Sequence, residues 1–304
     1  MTIAAIIKTK LKQSSIIRQI LDYLHATRYQ RTYFDRNLNW FQRCIEKKNI
    51  DVIKALPTYA PFAEGNCSEI AQLSLQSAQQ VAELLPTMAE RLGILQMEEP
   101  IEAEQFCQNM HGMDAAPLLK QYFDEYGSDK SRTHNYHLIY GALMRDPSKI
   151  DSLLEIGLGT NNTDVVSTMG EAGKPGASLR AFRQFLPNAL ISGADIDRRV
   201  LFEEERIKTY FVDQTNLSTF DELAKSIKEP FDIIIDDGLH SPNANLTVLI
   251  FSISHLKVGG WIVIEDIKES ALPIFRTASC LLAGRFHCHI VKTKVVYVFL
   301  AHRI

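Results

Sequence analysis

The 304-residue chain has no run approaching 18 apolar residues. Its opening, MTIAAIIKTKLKQ, offers only a brief apolar stretch before the lysines and no small-residue cleavage site. Neither a transmembrane helix nor a secretory leader is therefore expected. The five cysteines, Cys44, Cys67, Cys107, Cys280 and Cys288, are odd in number, scattered and without CxxC spacing. They build neither a disulfide framework nor a cysteine zinc site, which fits a reducing cytoplasm. Positive charge is not in excess: 33 Lys and Arg stand against 36 Asp and Glu, a net charge of −3. That balance argues against a general nucleic-acid partner. Internal repeats and low-complexity tracts are also lacking.

What is present is an ordinary globular composition, 46% hydrophobic and 23% charged, long enough for one large domain or two modest ones. Charge is uneven, because residues 1–54 hold eleven Lys and Arg and four Asp and Glu. A solvated helical face is the simplest account of that local excess. Ile16, Ile17, Ile20, Leu21 and Leu24 recur at helical spacing, and so do Ala71, Leu75, Ala78, Ala82 and Leu85 before Pro86; Pro57, Pro61 and Gly65 mark a loop between them. A mainly helical region over 1–115 is expected, followed by a second domain over 116–304.

From Ser152 onward, short apolar runs alternate with helix-length segments. Candidate strands are Ser152–Ile156, Ala189–Gly193, Thr209–Val212, Phe231–Ile235 and Trp261–Ile264, with a hairpin formed by Phe286–Ile290 and Val295–Ala301. The pattern predicts a doubly wound, Rossmann-like α/β sheet, mostly parallel with an antiparallel last strand. Ligands of such sheets bind beyond the carboxyl ends of the strands.

Acidic residues gather at those ends. Phe231-Asp232-Ile233-Ile234-Ile235-Asp236-Asp237-Gly238-Leu239-His240 is answered by Trp261-Ile262-Val263-Ile264-Glu265-Asp266, and Pro242 to Leu256 reads as the crossover helix between them. A crossover of this kind usually sets its two strands side by side, about 4.8 Å apart. Asp237, Glu265 and Asp266 could then meet at one point, where a hard divalent ion such as magnesium, manganese or calcium would neutralise them. His240 could face the same crevice.

Leu153-Leu154-Glu155-Ile156-Gly157-Leu158-Gly159-Thr160-Asn161-Asn162 is a strand running into a glycine turn, where the backbone can approach a ligand closely. A dinucleotide fingerprint would need a third glycine at position 162, where Asn162 stands. Glu155 would oppose a pyrophosphate and suit a cationic amino-acid tail. Asp195, ending the second strand, is placed for ribose hydroxyls, and Asp213-Gln214, ending the third, for an adenine amino group. That order describes S-adenosylmethionine, with Thr160 and Asp236 as further cofactor contacts.

LLEIGLGTNN, GASLRAF, ISGADID, FVDQTN, FDIIIDDGLH and LKVGGWIVIEDI together resemble the class I S-adenosylmethionine-dependent methyltransferases, and within them the metal-dependent macrolide sugar O-methyltransferases and their cephalosporin-hydroxylase-like relatives. The resemblance spans about residues 120–304. It includes Tyr126-Gly127-Ser128-Asp129-Lys130, His134 and Tyr136, a segment that in the family helps close the cofactor site. It implies that Asp237, Glu265 and Asp266 ligate magnesium and that His240 is the general base. Residues 1–115 match no motif; a lid and subunit contacts of a homo-oligomer are expected there. The implied reaction is methyl transfer to a hydroxyl of a small acceptor, a sugar or glycosylated natural product, in the cytoplasm. A phenolic or catechol-like acceptor is the alternative within the class. An NAD-dependent oxidoreductase and a non-catalytic scaffold are the rivals outside it. His134 and His137, three apart, read as a cofactor or substrate contact or as packing rather than a second metal pair. Gly173 to Gly176 reads as a loop near the crevice, and His287, Cys288 and His289 as alternating residues on a strand.

Overall fold

The computed structural model describes residues 67–94 and 99–304. The helical periodicity of Ile16 to Leu24, the basic excess of residues 1–54 and most of the lid and subunit-contact region expected over 1–115 lie outside the described residues. The chain divides into units Met1–Val81 and Ala82–Ile304, and the second carries the sheet and the site. The periodicity of Ala71 to Leu85 forms part of a helix, α1 (Cys67–Arg91). This helix runs through Pro86 instead of stopping before it. Pro86 forfeits one backbone hydrogen bond, and Thr87 Oγ1 donates to the Glu83 carbonyl across the interruption.

Downstream, β1 (Ile101–Glu102) and α2 (Ala103–Asn109) are followed by α3 (Ala116–Tyr126) and α4 (Tyr136–Leu143). The α/β unit thus takes in residues 101–109, upstream of the boundary expected near 115, because β1 pairs in parallel with a C-terminal strand. The alternation then runs β2 (Ser152–Ile156), α5 (Ala177–Phe185), β3 (Leu190–Asp195), β4 (Glu203–Glu204), β5 (Ile207–Phe211), α6 (Leu217–Ser226), β6 (Phe231–Asp236), α7 (Pro242–His255) and β7 (Leu256–Ile267). α8 (Leu272–Leu282) and the hairpin β8 (Phe286–Lys292) and β9 (Tyr297–Arg303) complete it. Each expected strand is present, Ser152–Ile156 with the expected bounds and the others with edges shifted, and β7 is much longer than the run Trp261–Ile264.

The nine strands form one sheet in the order β1-β8-β9-β7-β6-β2-β3-β5-β4. β2 pairs in parallel with β3 on one side and with β6 on the other. The chain therefore winds outward from β2 through β3 and β5, returns, and winds the other way through β6 and β7. The reversal between β2 and β6 leaves a crevice at their carboxyl ends. As expected, β9 runs antiparallel to β7.

Both faces of the central strands are covered, so they read as continuous apolar runs. Leu153, Ile233, Ile235, Trp261 and Val263 face a layer containing Leu119, Phe123, Ile139, Tyr140, Leu179 and Phe182. Leu154, Ile156, Ile234, Ile262 and Ile264 face Phe220, Leu223, Val248, Leu249 and Phe275. The strand residues alternate between the layers with period two.

Phe182 joins α3, α4 and α5, its fully buried ring lying edge-on to Phe123 at 5.3 Å and Tyr140 at 5.2 Å. Phe182→Ala should cost about 3–5 kcal/mol of unfolding free energy. Leu281→Ala, at an 83% exposed position, should stay within about 0.5 kcal/mol; urea denaturation of both variants checks the contrast.

Candidate active site

A cavity of about 750 Å³ opens at the switch point, within the range usual for small-molecule sites. Its wall includes Gly157, Gly159, Thr160, Asp195, Asp213, Gln214, Asp237, His240, Glu265 and Asp266. Ten of the expected site residues thus share one space. Glu155 and Asp236 do not: both are fully buried behind the wall.

The glycine turn follows from strand adjacency. Gly157 N–H donates to the Ala194 carbonyl at 2.7 Å, and Asp237 N–H donates to the Ile156 carbonyl at 2.8 Å, so the ends of β2, β3 and β6 are tied together. Gly157 has φ +99°, and a Cβ there would lie 2.1 Å from the Asp237 carbonyl oxygen. Asp195 braces the turn: its carboxylate accepts from Leu158 N–H and Asp197 N–H, each at 2.8 Å. Thr160 and Asn162 both donate to Asp197 at 2.7 Å. Asn162 therefore has a use of its own at the position where a dinucleotide site would need glycine. The segment Gly173 to Gly176 is tied to this turn, through Asn161 Nδ2 to the Gly173 carbonyl at 2.9 Å and Gly176 N–H to the Leu158 carbonyl at 2.8 Å.

Asp236 is a structural anchor. It accepts from Gln214 Nε2 at 2.7 Å and Asn245 Nδ2 at 2.9 Å, which joins β6, the end of β5 and α7. Burial pushes its carboxyl above the ordinary value. Gln214 also accepts from Leu239 N–H at 2.8 Å, so its amide helps shape the wall. Asp213 closes its own turn on Thr215.

The carboxylates of β6 and β7 meet as their pairing requires. Asp236 lies opposite Ile264, which puts Asp237 beside Glu265. One ligand atom each from Asp237, His240 and Asp266 lies within 4.8 Å of the others. Nδ1 of His240 is 3.7 Å from Oδ2 of Asp266. His240 (φ +53°) and Asp266 (φ +56°) both have left-handed backbones, a conformation that non-glycine residues adopt at a cost and often at functional sites. The oxygen donors of Asp237 and Asp266, converging at the cavity beside His240, fit a divalent cation.

Glu265, on the same wall, meets a different set of partners. It is 1% exposed, accepts from Tyr140 Oη and lies 2.5 Å from Lys130 Nζ. Burial, and then the Asp237 charge, push its carboxyl well above the ordinary value. The same ammonium lies 2.7 Å from Asp237 and 3.2 Å from Glu155. Burial raises the Glu155 carboxyl despite that neighbour. Against the upward push of burial, Lys130 holds the Asp237 carboxyl below its ordinary value. The remaining Glu155 oxygen accepts from Ser178 Oγ at 2.6 Å. Tyr136 Oη donates to Asp266 at 2.8 Å. His134 stacks on the Tyr136 ring, with its Nδ1 3.5 Å from Asp266. His137 is not on the cavity wall, and burial lowers its imidazole to about 4.

Lys130 lies in the segment expected to close the cofactor site, but its pairing with the carboxylates was not expected, nor were the roles of Tyr140, Ser178 and Asn245. Only the tyrosines carry a signal: Tyr136 and Tyr140 are four residues apart, so their hydroxyls share one helix face.

The sheet order, the switch-point cavity and the paired strand-end carboxylates define the fold of the class I S-adenosylmethionine-dependent methyltransferases. The MycE methyltransferase of mycinamycin biosynthesis, solved in complex with Mg, SAH and mycinamycin VI, superposes with a TM-score of 0.50 at 25% identity, over 61% of this chain and 54% of that one. The sequence is 31% identical over 156 residues to an 8-demethyl-8-α-L-rhamnosyl tetracenomycin-C 2'-O-methyltransferase of Streptomyces olivaceus, covering 50% of this chain and 38% of that protein. It is 39% identical over 100 residues to the demethylmacrocin O-methyltransferase of Streptomyces fradiae, covering 33% and 25%. The chain thus spans about half of MycE and 38% and 25% of the two Streptomyces proteins. No protein-family model matches.

Gly157→Ala would drive a methyl group into the Asp237 carbonyl, with nothing flexible to yield. It should lower stability by more than about 2 kcal/mol in urea, whereas Gly93→Ala, where an added Cβ meets nothing within 4 Å, should cost less.

Proposed function

We propose that the chain is an S-adenosylmethionine-dependent O-methyltransferase that uses a divalent cation, magnesium foremost, to methylate a hydroxyl of a sugar or glycosylated natural product. The observation carrying this reading is the convergence of Asp237, His240 and Asp266 on the cavity beside the glycine turn. The matched proteins, O-methyltransferases by name and one of them named for a rhamnosyl compound, support the acceptor class.

The methyl donor would occupy the part of the cavity bounded by Gly157, Gly159, Thr160, Asp195, Asp213 and Gln214. Asp195 braces the turn with one hydrogen bond to each oxygen and lines the cavity, where its remaining lone pairs would accept from the ribose hydroxyls. Glu155 and Asp236 act behind the wall.

Asp237, Glu265 and Asp266 would hold the cation. When bound, it would lower the pKa of the acceptor hydroxyl and fix its direction. His240, with Nδ1 3.7 Å from Asp266, would take the acceptor's proton at Nε2. The deprotonated oxygen then displaces methyl from sulfur: one O–C bond forms, one S–C bond breaks, and the sulfonium leaves as a neutral thioether. Tyr136 keeps Asp266 aimed at His240 throughout.

A screen of sugars and phenols with S-adenosylmethionine, with and without EDTA, tests the reading. Chelation should abolish transfer and magnesium restore it, while S-adenosylhomocysteine still binds. Asp237→Ala should mimic chelation. His240→Ala should keep the metal and slow turnover by about 10²–10⁴-fold. Full activity in EDTA, or NAD binding more tightly than S-adenosylhomocysteine, would sink the proposal. A homo-oligomer with residues 1–115 at its subunit contacts belongs to the same proposal, and a monodisperse monomer by light scattering at micromolar concentration would remove that part.

A further inference from the structure

Lys130 is 2% exposed and lies in the turn between α3 and α4, far in sequence from the carboxylates it meets. Its Nζ lies 2.5 Å from Glu265, 2.7 Å from Asp237 and 3.2 Å from Glu155. One buried ammonium thus answers three carboxylates that would otherwise repel one another in a poorly solvated space. It stands between oxygens of Asp237 and Glu265, two of the residues that would hold the cation. Removing one partner from a buried charged set is strongly destabilising, because the remaining charges are left uncompensated.

We propose that Lys130 is a positioning residue acting as the site's resident counter-ion: it holds Asp237 and Glu265 together while no metal is bound and yields them when a divalent cation enters. The exchange half rests on the metal reading given above; the counter-ion half does not.

The surroundings suit an exchange. Glu265 has a second partner in Tyr140, and the other oxygen of Glu155 has one in Ser178, so each side chain keeps one hydrogen bond when the ammonium withdraws. Asp237 belongs both to the Lys130 set and to the converging set of Asp237, His240 and Asp266. Two cations sharing one carboxylate oppose each other's binding, and the coupling is reciprocal. A lysine suits this role, since its compact ammonium on a flexible four-carbon stem can swing aside where a planar guanidinium could not.

The test uses the full chain stripped with EDTA and Mn²⁺ as the probe at one fixed pH, comparing wild type with Lys130→Met. The variant should bind Mn²⁺ about tenfold more tightly, within the usual range of coupling between sites. Its metal-free Tm should fall by roughly 10 °C, and saturating Mn²⁺ should recover most of the loss. A lysine that merely packs predicts the opposite for the metal, a loosened site with weaker binding, and that result would overturn the proposal. Lys130→Met/Glu265→Gln removes one negative charge along with the positive one. It should be more stable in EDTA than Lys130→Met, even if the single variant is too unstable to purify; a double variant no more stable than the single one overturns the counter-ion role. If neither wild type nor Lys130→Met binds Mn²⁺, the exchange falls together with the metal reading, and the EDTA comparison alone still decides the counter-ion role.

Discussion

The neutralisation of buried carboxylates is the constraint on which this site depends. Glu155, Asp237 and Glu265 crowd one end of a sheet whose two faces are sealed by apolar layers, and carboxylates in such a place are stable only when paired or protonated. Lys130, Tyr140 and Ser178 supply the partners from three separate elements. Those partners in turn fix how α3, α4 and α5 meet the sheet, so the same helices that cover the core also set the electrostatics of the crevice.

The second organising feature is the division of labour between neighbours in sequence. Asp236 and Asp237 are adjacent, yet Asp236 is an anchor held by Gln214 and Asn245 while Asp237 faces the cavity. Glu265 and Asp266 divide their partners too: one meets Lys130 and Tyr140, the other Tyr136 and His240. Alternation along a strand explains the first split. The second adds the left-handed backbone of Asp266, which turns the chain away from the strand direction.

Much of the architecture was legible because its signals are local. A doubly buried parallel strand is a short apolar run whatever surrounds it, and β2, β6 and the core of β7 are such runs bounded by acidic or turn residues. The two-residue strands β1 and β4 are too short for any period to register. Pro86 misled because a proline removes one hydrogen bond without obliging a long helix to end. Most of the site residues could be placed on the cavity because the carboxyl end of a parallel strand is a position that sequence can identify. Glu155 and Asp236 escaped the cavity because facing inward or outward at a strand end depends on which neighbour offers a partner.

The sequence by itself determined the order of strands and helices, the glycine turn with its acidic followers, and the presence of Asp237, His240, Glu265 and Asp266 at two neighbouring strand ends. Each is a matter of residue type at fixed spacing, and spacing survives folding. Only the tertiary structure decided which carboxylates face the cavity and which are consumed inside. It also brought Lys130 to Glu265 across 135 positions and Tyr140 to Glu265 across 125. Contacts between residues so far apart are set by how helices pack on the sheet, and no local pattern in the chain encodes them.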